Sequence, residues 1–247
     1  MNPVPPEERL IVALDVPSAG EARELVQALG DAARFYKVGL ELFSAEGYFD
    51  LIRWLVGRGN KVFADLKLFD IPETVRRATA NVSRSGASFL TVHAHRSVLE
   101  AAAREKGAMK ILGVTVLTSF DQGDLEEMGA TKTLEQLVLE RARAAERAGC
   151  DGVISSPMEA AKLKAEFGER LLVVTPGIRP QTPRSPSALD PLVRGAMPAD
   201  DQKRSMDVAE AFRAGSDYIV VGRPIRSAAD PRAAALAIQA AIGSVFK

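Results

Sequence analysis

The stretch Lys61-Val62-Phe63-Ala64-Asp65-Leu66-Lys67-Leu68-Phe69-Asp70-Ile71-Pro72 decides how the rest of the chain is read. Its first four residues are β-prone and mostly apolar, so Asp65 to Lys67 reads as the end of a buried strand. Side chains two apart on a strand point to one face. Asp65 and Lys67 therefore project together, and Asp70 follows in a loop. Two carboxylates and an ammonium are too costly to bury unpaired. Charged clusters of this kind mark chemistry, although structural ion pairs produce them as well. A structural ion pair with a loop-capping aspartate is the alternative reading.

Outward from this stretch one theme repeats. Strand-like apolar runs at residues 10–14, 35–39, 61–67, 88–93, 110–117, 152–155, 171–175 and 218–222 alternate with amphipathic helical segments. Most runs are continuously apolar, as expected for parallel strands buried on both faces. The helical segments end near Gly30, Gly59, Gly86, Gly107, Gly149, Gly168, Gly215 and Gly243, where a left-handed cap is expected. Ser18 with Glu21, Ser97 with Glu100, Thr133 with Gln136 and Ser156 with Glu159 have capping-box spacing. Pro72, Pro157 and Pro231 suit the first helical position. Eight βα units in 247 residues predict an α/β fold, a single-domain (β/α)8 TIM barrel spanning residues 1–247. A doubly wound sheet would normally carry a glycine-rich turn after its first strand. Here that position reads Asp15-Val16-Pro17-Ser18.

In such a barrel, function sits at the C-terminal ends of the strands. Those ends read Asp15, Lys37, Asp65 with Lys67, His93, Thr118 with Ser119, Ser155 with Ser156, Thr175-Pro176-Gly177 and Gly222-Arg223-Pro224. Polar groups thus converge on one mouth from many strands. Gly222 lets an anion approach the backbone, and Arg223 offers a fork of donors suited to phosphate. Residues 176–201 carry six prolines and little helical pattern, and a segment this long inside a compact domain reads as a lid. Arg179 near its start and Gln202 just past its end are placed to reach an anion. A second polar loop is expected over residues 120–132.

Composition sets the surroundings. Net charge is zero, so nothing indicates nucleic acid or an anionic membrane. No apolar run reaches the roughly 18 residues of a membrane span, and the start MNPVPPEER lacks the plan of a signal peptide. Cys150 is the single cysteine, which excludes an internal disulfide and suits a soluble, cytoplasmic protein.

The chain resembles the orotidine 5′-phosphate decarboxylase family. The resemblance is carried by ALDVPS (13–18), YKVGLELF (36–43), DLKLFDIPETV (65–75), VTVLTS (114–119), TPGIRP (175–180), DDQKR (200–204) and VGRPI (221–225). It implies cofactor-independent decarboxylation of orotidine 5′-phosphate to UMP, with no metal. Lys67 would protonate C6 of the pyrimidine, and Asp65 and Asp70 would flank the substrate carboxylate. Lys37 would complete the charged array and touch the ribose. Asp15 and Thr74 would bind ribose hydroxyls, and Thr118 and Ser119 would lie by the pyrimidine edge. Ile71 and Pro176 would also contact substrate, while Arg179, Gln202, Gly222 and Arg223 would hold the phosphate. The resemblance further implies a homodimer in which Asp70 and Thr74 reach the partner's site.

Two departures stand out. Where the family usually shows His-Ala-x-Gly-Gly, this chain has His93-Ala94-His95-Arg96-Ser97, and residues 181–198 are long for the family. His93 is given no role. Two rival readings share the barrel. Sugar-phosphate enzymes resembling 3-keto-gulonate-6-phosphate decarboxylase or hexulose-phosphate synthase keep the Asp-x-Lys-x-x-Asp core but use Mg2+, held by an acidic residue where this chain has Lys37. A non-catalytic phosphate-binding barrel is the other, and here every position needed for chemistry is occupied.

Overall fold

The computed structural model describes residues 4–180 and 204–246. Most of the segment read as a lid, with Gln202, lies outside the described residues. The described residues form a closed barrel of eight parallel strands in sequence order. These are β1 (Leu10–Ala13), β2 (Phe35–Gly39), β3 (Lys61–Leu68), β4 (Phe89–His93), β5 (Lys110–Val114), β6 (Gly152–Ile154), β7 (Leu172–Thr175) and β8 (Tyr218–Val221), and β8 closes on β1. Long helices pack outside, among them Ala19–Leu29, Pro72–Arg84 and Leu134–Arg147 between the strands and Pro231–Val245 after the last one. The predicted TIM barrel is the observed one.

Alternation along each strand divides the core in two. Leu10 and Val12 face the helices, while Ile11 and Ala13 face the barrel axis. Both faces are covered, which is why the strands read as unbroken apolar runs. Inside the barrel, Phe35, Phe89 and Tyr218 meet edge to face, with centroids 4.9–5.9 Å apart, and Phe63 adds to Phe89 at 6.1 Å. Such geometry suits the ring quadrupoles.

Local signals explain most of the boundaries. Thr133–Gln136 and Ser156–Glu159 form capping boxes, and Ser18 accepts from the Glu21 N–H at 3.2 Å. Pro72, Pro157 and Pro231 open their helices. Four expectations need correction. The helix Arg96–Arg104 starts one residue before Ser97, with His95 as its N-cap, because Glu100 is taken by Arg96 (2.9 Å) and not by a capping box. Gly243 lies inside Pro231–Val245, since Ile242 is buried and Val245 packs on the core beyond it. β5 stops at Val114, because the Thr115 carbonyl accepts from Arg141 and not from a ladder partner. The loop over 120–132 contains a short helix, Gln122–Glu127, capped reciprocally by Asp121 and Asp124.

Among the described residues no helix is long and apolar enough to cross a membrane. Cys150 is buried, and burial pushes its thiol up to about 12.

Gly152 marks a tight point of the barrel. A Cβ there would lie 2.6 Å from the Leu172 carbonyl oxygen on the paired strand. The Leu172 Cβ at 2.7 Å and the Leu112 side chain at 3.0 Å also crowd the position, and the Leu172 backbone has little room to yield. Gly152→Ala is expected to destabilise the fold by about 1–3 kcal/mol, the range for overpacking. The measurement is a lowered urea midpoint at unchanged slope.

Candidate active site

The barrel opens at its C-terminal end into a cavity of about 530 Å3. Its apolar lining comes from inward-facing strand residues, including Phe63, Ile154 and Val220. Phe63 belongs to the aromatic cluster, so the packing that fills the barrel also floors the cavity. Val116 and Leu117 line it too, which gives these apolar residues beyond the end of β5 their place.

Charged groups enter from adjacent strands. Lys37 on β2 reaches Asp15, beyond the end of β1, at 2.7 Å and Asp65 on β3 at 3.6 Å. Lys67 contacts the same Asp65 oxygen at 2.9 Å. The result is an unbroken series Asp15, Lys37, Asp65, Lys67 with alternating sign. Lys37 and Asp65 are each only 9% exposed. Burial would drive the Lys37 ammonium to lose its proton, but Asp65 and Asp15 outweigh that and hold its pKa above the ordinary value. Burial likewise opposes ionisation of Asp65, yet Lys37, Lys67 and the hydrogen bonds from Lys67 and Thr91 hold its carboxyl below the ordinary range. Each buried charge is tolerated because of its neighbours.

Two small features support this series. Gly39 leaves room for it, since a Cβ there would sit 3.2 Å from the Lys37 Nζ. Lys67 has φ +48°, the one non-glycine residue with positive φ among the described residues. That backbone disfavours an L-residue by about 1–2 kcal/mol. Asp65 and Lys67 do converge as strand alternation predicts, but through a bent strand end and not a straight one. Buried Thr91 on β4 lies against this bend.

The remaining cavity wall is polar. Thr118, Ser119, Pro176, Arg179, Gly222 and Arg223 all line it, as expected from sequence. Arg226 joins them from one helical turn after Arg223, in the short helix Arg223–Arg226. Its spacing from Arg223 could have singled it out, whereas Thr91 and Gly39 carry no sequence signal of this kind. The base of the long segment is pinned on both sides. Arg179 N–H donates to the Met206 carbonyl at 3.0 Å, and Met206 N–H donates to Gly177 at 3.2 Å. Arg204 donates to buried Glu159 and to the Leu117 carbonyl.

Three expected site residues are not brought to this cavity within one chain. Asp70, Ile71 and Thr74 are exposed, and the Asp70 carboxylate accepts from the Ile71 N–H at 2.6 Å. Gln202 lies outside the described residues. His93 is partly buried against Phe69, and burial, then Arg141 and Lys67, lower its pKa. Among the described residues no group of three or more His, Cys, Asp or Glu side chains converges as a metal site.

Comparison with known proteins agrees with this geometry. Residues 8–238 match the model of the orotidine 5′-phosphate decarboxylase / HUMPS family. The chain is 54% identical over 245 residues to an orotidine 5′-phosphate decarboxylase of Methylococcus capsulatus, covering 99% of this chain and 96% of that protein. It is 48% identical over 243 residues to one of Afipia carboxidovorans, covering 98% and 97%. The crystal structure of the Lactobacillus acidophilus orotidine 5′-phosphate decarboxylase superposes with TM-score 0.80 at 35% identity, over 95% of this chain and 99% of that one. With the barrel, the charged series and these similarities together, the chain belongs to the orotidine 5′-phosphate decarboxylase / HUMPS family.

Proposed function

We infer that this chain is a carboxy-lyase that decarboxylates orotidine 5′-phosphate to UMP in pyrimidine biosynthesis, without metal or organic cofactor. The observation that carries this reading is the alternating series Asp15, Lys37, Asp65, Lys67 in one cavity with Arg179 and Arg223. Relatives of nearly equal length that bear this enzyme's name support it. A lysine at position 37 repels a divalent cation, which speaks against the Mg2+-dependent sugar-phosphate chemistry of the wider family.

The chemistry follows from the charges. When the C6–carboxylate bond breaks, its electron pair stays on C6 as a vinyl carbanion with no adjacent electron sink. Fixed charge is then the means of stabilisation. The Lys67 ammonium stabilises the developing anion and donates a proton to C6, leaving a neutral amine that solvent reprotonates. Asp65 holds Lys67, and its anionic charge also acts on the substrate carboxylate. Asp15 and Lys37 bind the ribose, while Thr118 and Ser119 meet the pyrimidine. Pro176 contacts substrate, and Arg179, Gln202, Gly222 and Arg223 hold the phosphate end, with residues 176–201 as the covering segment. Binding energy from that remote group favours the transition state at C6.

The active unit is a homodimer. Asp70, Ile71 and Thr74 lie outside their own cavity, and Leu40, Phe43, Phe69 and Ile71 are each 49–67% exposed at the neighbouring ends of β2 and β3. Apolar side chains exposed together in this way mark an interaction surface. A second copy seated there brings Asp70 and Thr74 to its partner's cavity. The single buried thiol suits the cytoplasm.

Release of CO2 from orotidine 5′-phosphate in excess EDTA tests the reaction. Full activity is expected, and a loss restored by Mg2+ would transfer the chain to the sugar-phosphate group. In the same assay Lys67→Ala is expected to abolish turnover while UMP still binds. A mutant with near-normal kcat removes Lys67 from the mechanism. Arg223→Ala is expected to lose about 2–5 kcal/mol of transition-state stabilisation in kcat/KM, the scale for one partner of a charged pair. Turnover of the phosphate-free nucleoside should not change, so an equal loss on both substrates refutes a phosphate role.

Mixing Lys67→Ala with Asp70→Ala tests the shared site. A mixed dimer places both defects in one site and leaves the other intact, as two-fold symmetry requires. Regained CO2 release is expected once subunit exchange is verified by mass spectrometry. Exchange without activity assigns Asp70 to its own chain.

A further inference from the structure

The left-handed backbone of Lys67 needs a physical cause, and the pairing of β3 with β4 supplies it. Ala64 pairs with Leu90, and the next pair is Leu68 with Val92. Asp65, Leu66 and Lys67 thus stand opposite the single residue Thr91. In such a bulge the extra residues lose their ladder partners, and the strand bends. The N–H of Lys67 is one group left over. It donates to the Thr91 Oγ1 at 3.0 Å, and the same hydroxyl donates to the Asp65 Oδ1 at 2.8 Å. Thr91 is fully buried. One hydroxyl has one proton and lone pairs to spare, so both bonds form at once. A threonine is also stiff at χ1, which fixes where that oxygen lies.

We propose that Thr91 is a positioning residue for proton transfer: its hydroxyl locks the bulge that aims the Lys67 ammonium and orients the Asp65 carboxylate. The inference rests on the reading of Lys67 as the proton donor. No contact of Thr91 with substrate is implied, since it does not line the cavity. The hydroxyl ties the backbone of one partner to the side chain of the other. Without it, the Lys67 N–H is buried with no acceptor, and the chain gains by leaving its left-handed conformation. The Lys67 Nζ then departs from C6 even though every charged residue is still present. The phosphate-end residues Arg179, Gly222 and Arg223 follow other strands, and Lys37 keeps its 2.7 Å contact with Asp15, so most ground-state affinity is retained.

The test separates the hydroxyl from its packing. Thr91→Val is close in shape and lacks the oxygen, whereas Thr91→Ser keeps the oxygen and loses a methyl. Thr91→Val is expected to lower kcat by about 100-fold, the scale for a reacting group misplaced by about 1 Å. KM for orotidine 5′-phosphate and the Kd for UMP should stay within about threefold, as for loss of an interaction that acts only in the transition state. Thr91→Ser is expected to recover kcat to within about tenfold of wild type. Should Thr91→Val not fold, Thr91→Ala set against Thr91→Ser isolates the same oxygen. A merely structural role would lower the melting temperature of all variants and leave kcat per folded enzyme alike, and that result overturns the proposal. Lys67→Ala measured alongside distinguishes the two levels. If it is inactive and Thr91→Val is not impaired, Thr91 has no positioning role. If Lys67→Ala retains kcat, the proton-donor reading fails and this inference falls with it.

Discussion

The carboxylate of Asp65 is the contact on which the rest of the site depends. One of its oxygens meets Lys67 at 2.9 Å and Lys37 at 3.6 Å, and the other accepts from Thr91 at 2.8 Å. An isolated buried carboxylate would cost several kcal/mol. Here two ammonium groups and a hydroxyl offset that penalty, and each ammonium is in turn held by the carboxylate. The series with Asp15 sums to zero charge. Removing Lys37 or Asp65 breaks the series at its buried centre and leaves the other with less compensation where water reaches poorly.

This mutual dependence sets the pH window in which the array is intact. The carboxyl of Asp65 is lowered from its ordinary 3.8. Its contribution to stability is therefore present above that value and is lost as pH falls through the folded value. Lys37 is raised from its ordinary 10.5. Its contribution is present below that value and is lost as pH rises through the folded one. Between these limits both groups keep their charge. Chemistry that depends on fixed charge thus has a site that does not titrate near neutrality through these two members.

The barrel makes the array possible. Phe35, Phe63, Phe89 and Tyr218 fill its axis, and Phe63 floors the cavity, so the charged series meets at the C-terminal mouth above this packing. Side chains on β2 and β3 then meet across one hydrogen-bonded ladder, with Gly39 paired to Asp65. A glycine at that pair leaves space for the Lys37 ammonium. The helices contribute indirectly: Glu159 caps its own turn through Ser156, and also grips Ser155 and Arg204 where the chain returns to the barrel mouth.

Much of this was legible along the chain, because it depends on local rules. Continuous apolar runs identified β1 to β8, and glycines such as Gly149 and Gly168 marked helix ends, since only glycine takes positive φ without strain. The charged residues of the mouth were legible because such groups have no place in a core. Other features were decided only in three dimensions. Gly243 sits within a helix because packing of Ile242 and Val245 outweighs its weak propensity. Ser97 is no cap because Glu100 is already held by Arg96. The bend at Lys67 depends on the register of β3 against β4, and a register is a relation between strands about 25 residues apart. Thr91 has nothing to distinguish it from any other β-branched strand residue until that pairing places its hydroxyl between Lys67 and Asp65. The sequence by itself determined which groups are charged and which strand end carries each one. Tertiary structure alone decided their distances, because hydrogen bonds and ion pairs form between atoms brought together by packing, whatever their separation along the chain.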